Sequence, residues 1–410
     1  MKEFDLVVFG ATSFVGEILA RYLLDRHGTD SIRWAIAGRS ATKLHALQRE
    51  LGVDGAQLPA IIADSNDEPA MRALCNRARV VISTVGPYAL YGETLVRVCA
   101  ETGTDYCDLT GEVQWIRRMI DRYQTQAIAS GARIVHCCGF DSIPSDLGVY
   151  ALQQAAIQRF GKPLRSISMR VKAMRGGFSG GTAASLLNVA KEAGKDPALR
   201  RELANPFSLC PEPSGTRQPR TNRAMLDSDF KSWTAPFIMA GINTRIVHRS
   251  NALLAQRYGH DFRYSEAVLT GKGLKGRLAA TGASGGLAAF MLASALTPTR
   301  TVLERFVLPK PGEGPSPEAQ RKGFFDLRFF GRTGESQTDS GHTMRGKVTG
   351  DRDPGYGSTA KMLGEAAACL AFDLPANEKQ GGFWTPASLL GDRLITRLQT
   401  HAGLRFEIES

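Results

Sequence analysis

The stretch GATSFVG, residues 10–16, decides the fold of this 410-residue chain. It follows the apolar run FDLVVF and leads directly into EILARYLLDR, whose apolar residues recur at helical spacing. A glycine-containing turn between a strand and a helix is typical of a dinucleotide-binding βαβ unit. Ser13 stands where many such turns carry their middle glycine, and its small side chain still permits a pyrophosphate to approach the backbone.

The alternation that begins at this turn continues through the first 150 residues. Six strand-like runs alternate with helical periods, and they are FDLVVFG, RWAIAG, PAIIAD, VVISTV, DYCDLTG and ARIVHCCGF. Strands separated by helices indicate a parallel sheet that is covered on both faces. The sequence therefore predicts an α/β fold with a doubly wound parallel Rossmann sheet, formed by a dinucleotide-binding domain over residues 1–150.

The pattern changes after residue 150, where strand-like runs follow one another with fewer helices. These runs are SISMRVKAMRG, FIMAGINTRIVHRS, DFRYSEAVLTG, GFFDLRFFGRT and HTMRGKVTG. They predict a second, mixed α+β domain over residues 151–351 that serves substrate binding or dimerisation. The Pro-rich stretches 205–235 and 309–318 are interpreted as ordered loops or lids. Residues 352–410 are expected to form a helical segment that packs back on the first domain.

Composition and charge narrow the classes of function. The chain carries 51 basic and 40 acidic residues, a formal net charge of +11, without a tract of like charges. Scattered charge argues against a nucleic-acid protein and favours an anionic cofactor, an acyl carrier or a membrane surface as partner. The seven cysteines form no C-x-x-C pair, so we expect reduced core thiols and no metal site. The charged start of the chain leaves no room for a secretory signal, and we expect a cytoplasmic location.

The predicted cofactor contacts lie at the ends of the first four strands. Gly10 permits the turn, and Gly16 permits the first helix to pack closely with its N-terminus facing the phosphates. Arg39 in AGRS stands where an NAD site carries an acidic residue, and a guanidinium there favours NADP(H) over NAD(H) because it binds a 2′-phosphate. The complete predicted set is Gly10, Thr12, Ser13, Phe14, Val15, Gly16, Gly38, Arg39, Ser40, Asp64, Ser83, Thr84, Val85, Gly86 and Pro87.

Each of these contacts has a structural alternative. GATSFVG also suits a strand-to-helix turn without a ligand, and Arg39 also suits a solvated surface position. Ser13 donates its hydroxyl to a phosphate in the functional interpretation, and would be strained if its φ were positive. Asp64 is interpreted either as an adenine-side contact or as the cap of the following helix.

Several blocks along the chain carry a family resemblance, and they are GATSFVG, AGRS, STVGPYALYGE, YCDLTGE, GFDSIPSDLG, SGGTAASL, DPGYGSTAKMLGEAA and GGFWTPASLLGD. Together they resemble the saccharopine dehydrogenase-like family, and within it the trans-acting enoyl reductases. The resemblance implies a nicotinamide cofactor and reduction of a carbon–carbon double bond in a polyketide or fatty acyl chain. Two alternatives stay open: imine reduction on amino acids, as in saccharopine formation, and a non-catalytic nucleotide-binding or lipid-associated protein.

Enoyl reduction requires a donor that polarises the thioester carbonyl and a proton source for the α-carbon, in addition to the hydride of the cofactor. Tyr88, Asp141 and Ser142 are the candidates, because they follow predicted strands. Asp141 and Ser142 also suit the N-cap of the helix that starts in SDLGVYALQQ, and His136 is expected to be a satisfied core histidine. No tyrosine is followed by lysine four residues later, which argues against a short-chain reductase mechanism.

One further stretch, LAATGASGGLAAFMLASALTPT at residues 278–299, contains no charged residue. Its length is that of a bilayer-spanning helix, but its glycines and few leucines weaken insertion. The sequence favours a peripheral segment that lies against a membrane or lines an acyl tunnel. An ordinary buried helix and a membrane span are the alternatives. The remaining expected partners are an acyl carrier protein and a second copy in a homodimer.

Overall fold

The computed structural model describes residues 2–29, 31–177, 180–295, 297–303, 313–334, 341–375, 378 and 380–409. The strands are β1 (Phe4–Phe9), β2 (Trp34–Gly38), β3 (Ala60–Ile62), β4 (Ala78–Ser83), β5 (Asp105–Asp108), β6 (Arg133–Val135), β7 (Ser166–Arg175), β8 (Met225–Asp227), β9 (Ser232–Pro236), β10 (Arg263–Gly271), β11 (Phe324–Arg332), β12 (Thr343–Gly350), β13 (Gly382–Trp384) and β14 (Leu404–Glu409).

The helices are α1 (Phe14–His27), α2 (Ala41–Glu50), α3 (Gly52–Ala56), α4 (Glu68–Arg77), α5 (Tyr88–Tyr91), α6 (Glu93–Thr102), α7 (Val113–Ser130), α8 (Ile143–Phe160), α9 (Gly180–Lys195), α10 (Pro197–Ala204), α11 (Ala240–Leu253), α12 (Gly273–Ala295), α13 (Thr297–Val302), α14 (Pro317–Arg321), α15 (Thr359–Ala368) and α16 (Gly391–His401). Short π-helical segments cover Pro354–Ser358, Cys369–Asp373 and Pro386–Leu390.

The first sheet has the order β13-β6-β5-β4-β1-β2-β3, and all its neighbouring strands are parallel. The predicted doubly wound Rossmann sheet is therefore confirmed. In this order β2 lies on one side of β1 and β4 lies on the other, so the direction in which strands are added reverses at β1. This reversal opens a crevice at the carboxyl ends of β1 and β4, where ligands of such sheets bind.

The sequence of β1 follows from its position at the centre of this sheet. Leu6 and Val8 pack into one hydrophobic core, and Val7 and Phe9 pack into the other. Since both faces are covered, the strand reads as an unbroken apolar run rather than as an alternation.

The second sheet has the order β14-β12-β11-β7-β10-β9-β8. Only β7 and β10 are parallel neighbours in this sheet, and the other described pairs are antiparallel. The predicted mixed second sheet and the β11–β12 hairpin are confirmed. The middle of the hairpin turn, 335–340, lies outside the described residues.

The strand predicted from FIMAGINTRIVHRS is wrong, because most of this stretch forms α11. Ile242 and Ile246 pack into one hydrophobic core, whereas Val247 packs into the other. A helix that lies between two cores is buried on most of its surface, so its sequence shows no polar face at helical spacing. The β-branched residues then resemble those of a buried strand.

The C-terminal part of the chain contributes more than helices. β13 pairs with β6 as the seventh strand of the first sheet, and β14 pairs with β12 at the edge of the second. A three-residue strand such as β13 is too short to show a period in the sequence. Residue 150, the predicted domain boundary, lies within α8, which packs against the second sheet so closely that a Cβ on Gly148 would lie 2.4 Å from the Phe329 ring.

The uncharged stretch 278–299 lies mainly in α12, and most of this helix is exposed. The alternative of an ordinary buried helix is therefore wrong. None of the helices in the described part of the chain combines the length and apolar character that crossing a bilayer requires. The seven cysteines are all buried and free, as expected for core thiols.

Candidate functional site

The turn after β1 requires both of its glycines. Gly10 has a φ of +86°, and a Cβ there would lie 2.6 Å from Val85 Cγ2 and 2.8 Å from Thr84 Oγ1. A Cβ on Gly16 would lie 2.2 Å from the carbonyl oxygen of Gly10. Glycine at these two positions therefore lets the turn pack directly against the loop after β4 and against the first turn of α1.

Ser13 is the N-cap of α1. Its backbone is extended, with a φ of −81°, so the serine is not strained. Its Oγ accepts a hydrogen bond from Gly16 N at 3.0 Å and lies 2.9 Å from Thr84 Oγ1, which in turn donates to the Gly10 carbonyl at 2.8 Å. Because the hydroxyl is used within the protein, the backbone N–H groups at the start of α1 are the groups left for a phosphate.

Arg39 lies at the end of β2, one residue before the cap of α2. Ser40 Oγ accepts a hydrogen bond from Lys43 N at 3.3 Å and so caps α2. Arg39 itself is exposed and forms no ion pair with another described residue. Gly38 is buried opposite Thr12, and a Cβ on Gly38 would lie 3.8 Å from Thr12 Oγ1. This edge therefore presents an exposed guanidinium that fits a 2′-phosphate.

Asp64 follows β3 and forms a local turn rather than a helix cap. Its Oδ1 accepts a hydrogen bond from Asn66 N at 2.9 Å. The cap of α4 is Asp67, which accepts from Ala70 N at 3.1 Å, so the predicted capping role of Asp64 is wrong. Its adenine-side contact stays a prediction.

The loop after β4 passes along the crevice. Ser83 and Thr84 are buried, Val85 and Pro87 are half-buried, and Gly86 is exposed. Tyr88 is also buried, and its hydroxyl donates to the Ser83 carbonyl at 3.0 Å. Burial raises the pKa of Tyr88 well above its ordinary value. The geometry therefore favours a structural role for Tyr88 over the predicted role of donor to a substrate.

Glu112, the last residue of the block YCDLTGE, holds this loop in place. Its buried carboxylate accepts hydrogen bonds from Tyr88 N at 2.8 Å, Ala89 N at 3.0 Å and Ser185 Oγ at 2.9 Å. Burial raises the pKa of Glu112, and these hydrogen bonds partly offset the shift. One side chain thus joins α5 at the crevice to α9 of the second domain.

Asp141 lies in the loop between β6 and α8, at the edge of the first sheet where its parallel strands end. Its side chain is half-buried beside Gly111, where a Cβ would lie 3.5 Å from Asp141 Oδ2 and 4.0 Å from Ile242 of α11. Burial raises the pKa of Asp141 to about 7, and no hydrogen bond or charge among the described residues offsets the shift. Such a carboxyl group carries a proton near neutral pH.

Ser142 occupies the N-cap position of α8 without capping it. Its φ is +129°, a left-handed backbone that is costly for a non-glycine residue. Instead of bonding to the helix, its Oγ donates to Asn243 Oδ1 at 3.0 Å. Asn243 Nδ2 donates to Ser145 Oγ at 3.2 Å and Glu266 Oε2 at 3.0 Å. Asn243 was missed because its helix was predicted as a strand.

His136 lies in the core, as expected. Its Nδ1 is 2.7 Å from Asp108 Oδ2, and its ring packs against Trp115 and Phe383. Its Nε2 has no partner among the described residues, so the histidine is only partly satisfied.

Phe14 connects the dinucleotide turn to later parts of the chain. Its ring packs edge-on against Tyr356 with centroids 5.0 Å apart. A Cβ on Gly314 would lie 2.3 Å from Phe14 Cε1, so the described end of the Pro-rich stretch 309–318 lies directly over this ring. This position agrees with the predicted lid, although residues 309–312 lie outside the described part.

Comparisons with known proteins agree with this geometry. The saccharopine dehydrogenase NADP binding domain matches residues 6–135. A Mycobacterium tuberculosis protein named as a trans-acting enoyl reductase is 44% identical over 409 residues, covering 97% of this chain and 96% of its own length. The trans-acting enoyl reductase of Mycobacterium bovis is 37% identical, with the same coverage. The fold is similar to that of saccharopine dehydrogenase from Saccharomyces cerevisiae, with a TM-score of 0.54, 15% identity and coverage of 99% of this chain and 100% of that chain.

These matches cover the crevice as well as the fold. The matched NADP-binding domain contains the turn at Gly10, the guanidinium of Arg39 and the loop after β4. The chain is an NAD(P)-dependent oxidoreductase with an NADP-type nucleotide domain. Its full-length similarity shows that it belongs to the trans-acting enoyl reductase family, within the saccharopine dehydrogenase-like oxidoreductases.

Proposed function

We propose that the chain reduces the carbon–carbon double bond of an enoyl thioester on a polyketide or fatty acyl chain, with NADPH as reductant. The names of its full-length relatives support this activity. The observation that carries it is Asp141, a half-buried carboxyl group with a raised pKa in the loop after β6, at the same edge of the sheet as the crevice. Reduction of a double bond needs such a proton source beside the cofactor.

The residues of the first domain bind and orient the cofactor. The N–H groups at the start of α1 bind the pyrophosphate, Arg39 binds the 2′-phosphate, and the loop from Ser83 to Pro87 lies along the nicotinamide riboside. When bound, NADPH supplies the hydride that reaches the β-carbon of the enoyl group. Glu112 keeps the β4 loop at a fixed distance from the turn at Gly10, because it bonds to two successive backbone N–H groups of α5.

Asp141 completes the reduction by giving its proton to the α-carbon. The hydride and this proton together saturate the double bond, and the Asp141 carboxylate then takes a proton from solvent. Ser142 and Asn243 act as positioning residues, since their hydrogen bond at 3.0 Å holds the strained backbone next to Asp141. Strain that is held by a buried network is a common feature of functional sites.

The alternative of amino-acid imine reduction requires cationic groups for the substrate carboxylates. Gly111 and Ile242 lie beside Asp141, and no charge among the described residues offsets the raised pKa of its carboxyl group. The environment of Asp141 therefore favours an uncharged acyl chain as substrate over an amino acid. A non-catalytic nucleotide-binding protein would not need a proton-bearing carboxyl group at this crevice.

The test is an assay of NADPH oxidation with the Asp141→Asn variant and enoyl thioesters of increasing chain length. We expect kcat to fall by about 10²–10⁴-fold, because general acid catalysis contributes about this much. The dissociation constant for NADPH should not change, since Asp141 does not contact the predicted nucleotide residues. In the wild type, kcat should decline above about pH 7, where Asp141 loses its proton.

The control is Asp25→Asn, which changes an exposed carboxylate on α1 away from the crevice. An unchanged kcat in Asp141→Asn would contradict the role of Asp141. NADPH oxidation with lysine and 2-oxoglutarate, and none with enoyl thioesters, would replace the proposed activity with imine reduction. Binding of NADPH without turnover of either substrate class would favour the non-catalytic alternative.

We propose the partners on the same basis. A trans-acting reductase works on a chain that another protein carries, so an acyl carrier protein is the proposed donor of the substrate. A homodimer and a peripheral lipid contact through residues 278–299 also stay proposals. Sedimentation equilibrium of the purified chain, alone and with an acyl carrier protein, tests the first two.

A further inference from the structure

One face of α12 points away from the protein and is apolar along its length. Leu274, Leu278 and Leu292 are 70%, 63% and 64% exposed. Between them on the same face lie Gly282 and Gly285, where an added Cβ would meet no atom within 4 Å. Consecutive members of this set are three, four or seven positions apart, which places them on one side of the helix.

The opposite face of α12 packs on the protein. Gly276, Ala280 and Ser294 are buried, and Ser284 and Leu287 are half-buried. The helix contacts β9, β10 and α9 on this side. The outward apolar face is therefore not the side that contributes to the core, and no described residue covers it.

The edge strand β8 extends this apolar face. Trp233 in β9 pairs with Leu226 of β8 on one side and with Gly271 at the end of β10 on the other. Because α12 begins two residues after Gly271, β8 lies beside the start of the helix. Leu226 is 59% exposed and pairs with Trp233, over whose ring the guanidinium of Arg277 lies, so Leu226 is on the α12 side of the sheet. We call the set Leu226, Leu274 and Leu278 the α12 surface.

Positive charge surrounds the α12 surface. Lys272, Lys275 and Arg277 are exposed at the start of the helix, and Arg223 is exposed two residues before β8. The sequence from 267 to 303 contains no acidic residue. The guanidinium of Arg277 lies 5.6 Å from the centre of the Trp233 ring, which holds one of these charges beside the apolar side chains.

We propose that the α12 surface binds the surface of an anionic phospholipid bilayer. Exposed leucines at the centre of a basic ring match an interface in which acyl chains lie below negatively charged headgroups. The charge also disfavours a second copy of this chain as occupant, because two copies would bring two basic rings together. The contact is centred on the start of α12 and on β8, so it overlaps the uncharged stretch 278–299 only at Leu278.

The test measures sedimentation of the full chain with vesicles of phosphatidylcholine alone and of phosphatidylcholine mixed with phosphatidylglycerol. We expect binding to the anionic vesicles only, and weaker binding in high salt. Lys272→Glu together with Lys275→Glu should weaken this binding by more than about tenfold, since each basic residue near a bilayer contributes about fivefold. Leu274→Ser together with Leu278→Ser should weaken it as well.

The controls are Lys162→Glu and Val53→Ser, which change an exposed charge and an exposed apolar residue outside the α12 surface. Both should bind vesicles like the wild type. Absence of vesicle binding, or equal binding to neutral and anionic vesicles, would overturn the proposal. So would a dimer that the Leu274→Ser and Leu278→Ser substitutions dissociate, because the occupant would then be a second copy. None of these readouts depends on turnover, so the proposed activity is tested separately.

Discussion

At the scale of single residues, the charge of Arg39 is predicted to favour NADPH over NADH. The side chain is exposed at the end of β2, next to the cap of α2. In Arg39→Glu, a carboxylate faces the place where the 2′-phosphate binds. We expect affinity for NADPH to fall by about 1–3 kcal/mol, the worth of a hydrogen bond between charged groups, while affinity for NADH changes little. Fluorescence titration with both cofactors measures the difference.

The matched control is Arg49→Glu, which reverses another exposed charge farther along α2. It should leave both affinities close to those of the wild type. If Arg39→Glu weakened NADPH and NADH equally, Arg39 would act through general surface charge or folding rather than through the 2′-phosphate.

At the scale of elements, the N-terminus of α1 depends on Ser13. The Ser13 hydroxyl caps the helix and contacts Thr84 of the neighbouring loop. Ser13→Ala should lower the free energy of unfolding by about 1–2 kcal/mol, as expected when a serine cap is removed. It should also weaken NADPH binding, because the N–H groups that face the pyrophosphate become less ordered. Urea denaturation and cofactor titration measure the two effects.

Asp67→Ala provides the comparison at another helix. Asp67 caps α4 in the same way, by accepting a hydrogen bond from Ala70 N. Its removal should cost a similar free energy of unfolding without changing NADPH affinity. Equal effects of the two substitutions on NADPH would show that the cofactor responds to overall stability rather than to the cap of α1.

At the scale of the whole molecule, Asp146 joins three separate parts of the chain. It lies fully buried in α8, accepts a hydrogen bond from Ser250 Oγ of α11 at 2.5 Å, and accepts another from Ala387 N at 2.8 Å. Burial raises the pKa of Asp146 from 3.8 to about 7. The folded protein therefore binds a proton that the unfolded chain has already lost over this range.

Binding of this proton contributes fully to the free energy of unfolding below about pH 4, and this contribution is lost as the pH rises to about 7. Asp146→Asn removes this dependence. Relative to the variant, the wild type should lose roughly 1.4 kcal/mol for each pH unit between these limits. Urea denaturation across this range measures the slopes, with Asp25→Asn as a control that keeps the wild-type slope. Parallel curves for wild type and Asp146→Asn would show that Asp146 is ionised in the folded protein.

The sequence by itself determined the first sheet and the turn that leads into α1. Buried parallel strands read as continuous apolar runs, and the close approach of Gly16 to the Gly10 carbonyl spans only six residues. The sequence also locates Arg39 and Ser40 at the end of one strand and the start of one helix, and their contacts with a cofactor stay predictions. Short-range geometry of this kind is visible in a local pattern.

Tertiary structure alone decided which polar residues meet at the crevice. Asn243 bonds to Ser142, although the two residues are 101 positions apart in the chain. Asn243 lies on α11, and because this helix is buried on most sides, its sequence does not show the helical spacing of apolar residues. Tyr88 directly follows the loop after β4 in the chain, but packing directs its hydroxyl toward the Ser83 carbonyl. Burial raises the pKa of Asp141, which lies beside Gly111 and Ile242, residues far from it in the chain. Burial and orientation depend on contacts between distant segments, and a linear pattern does not contain them.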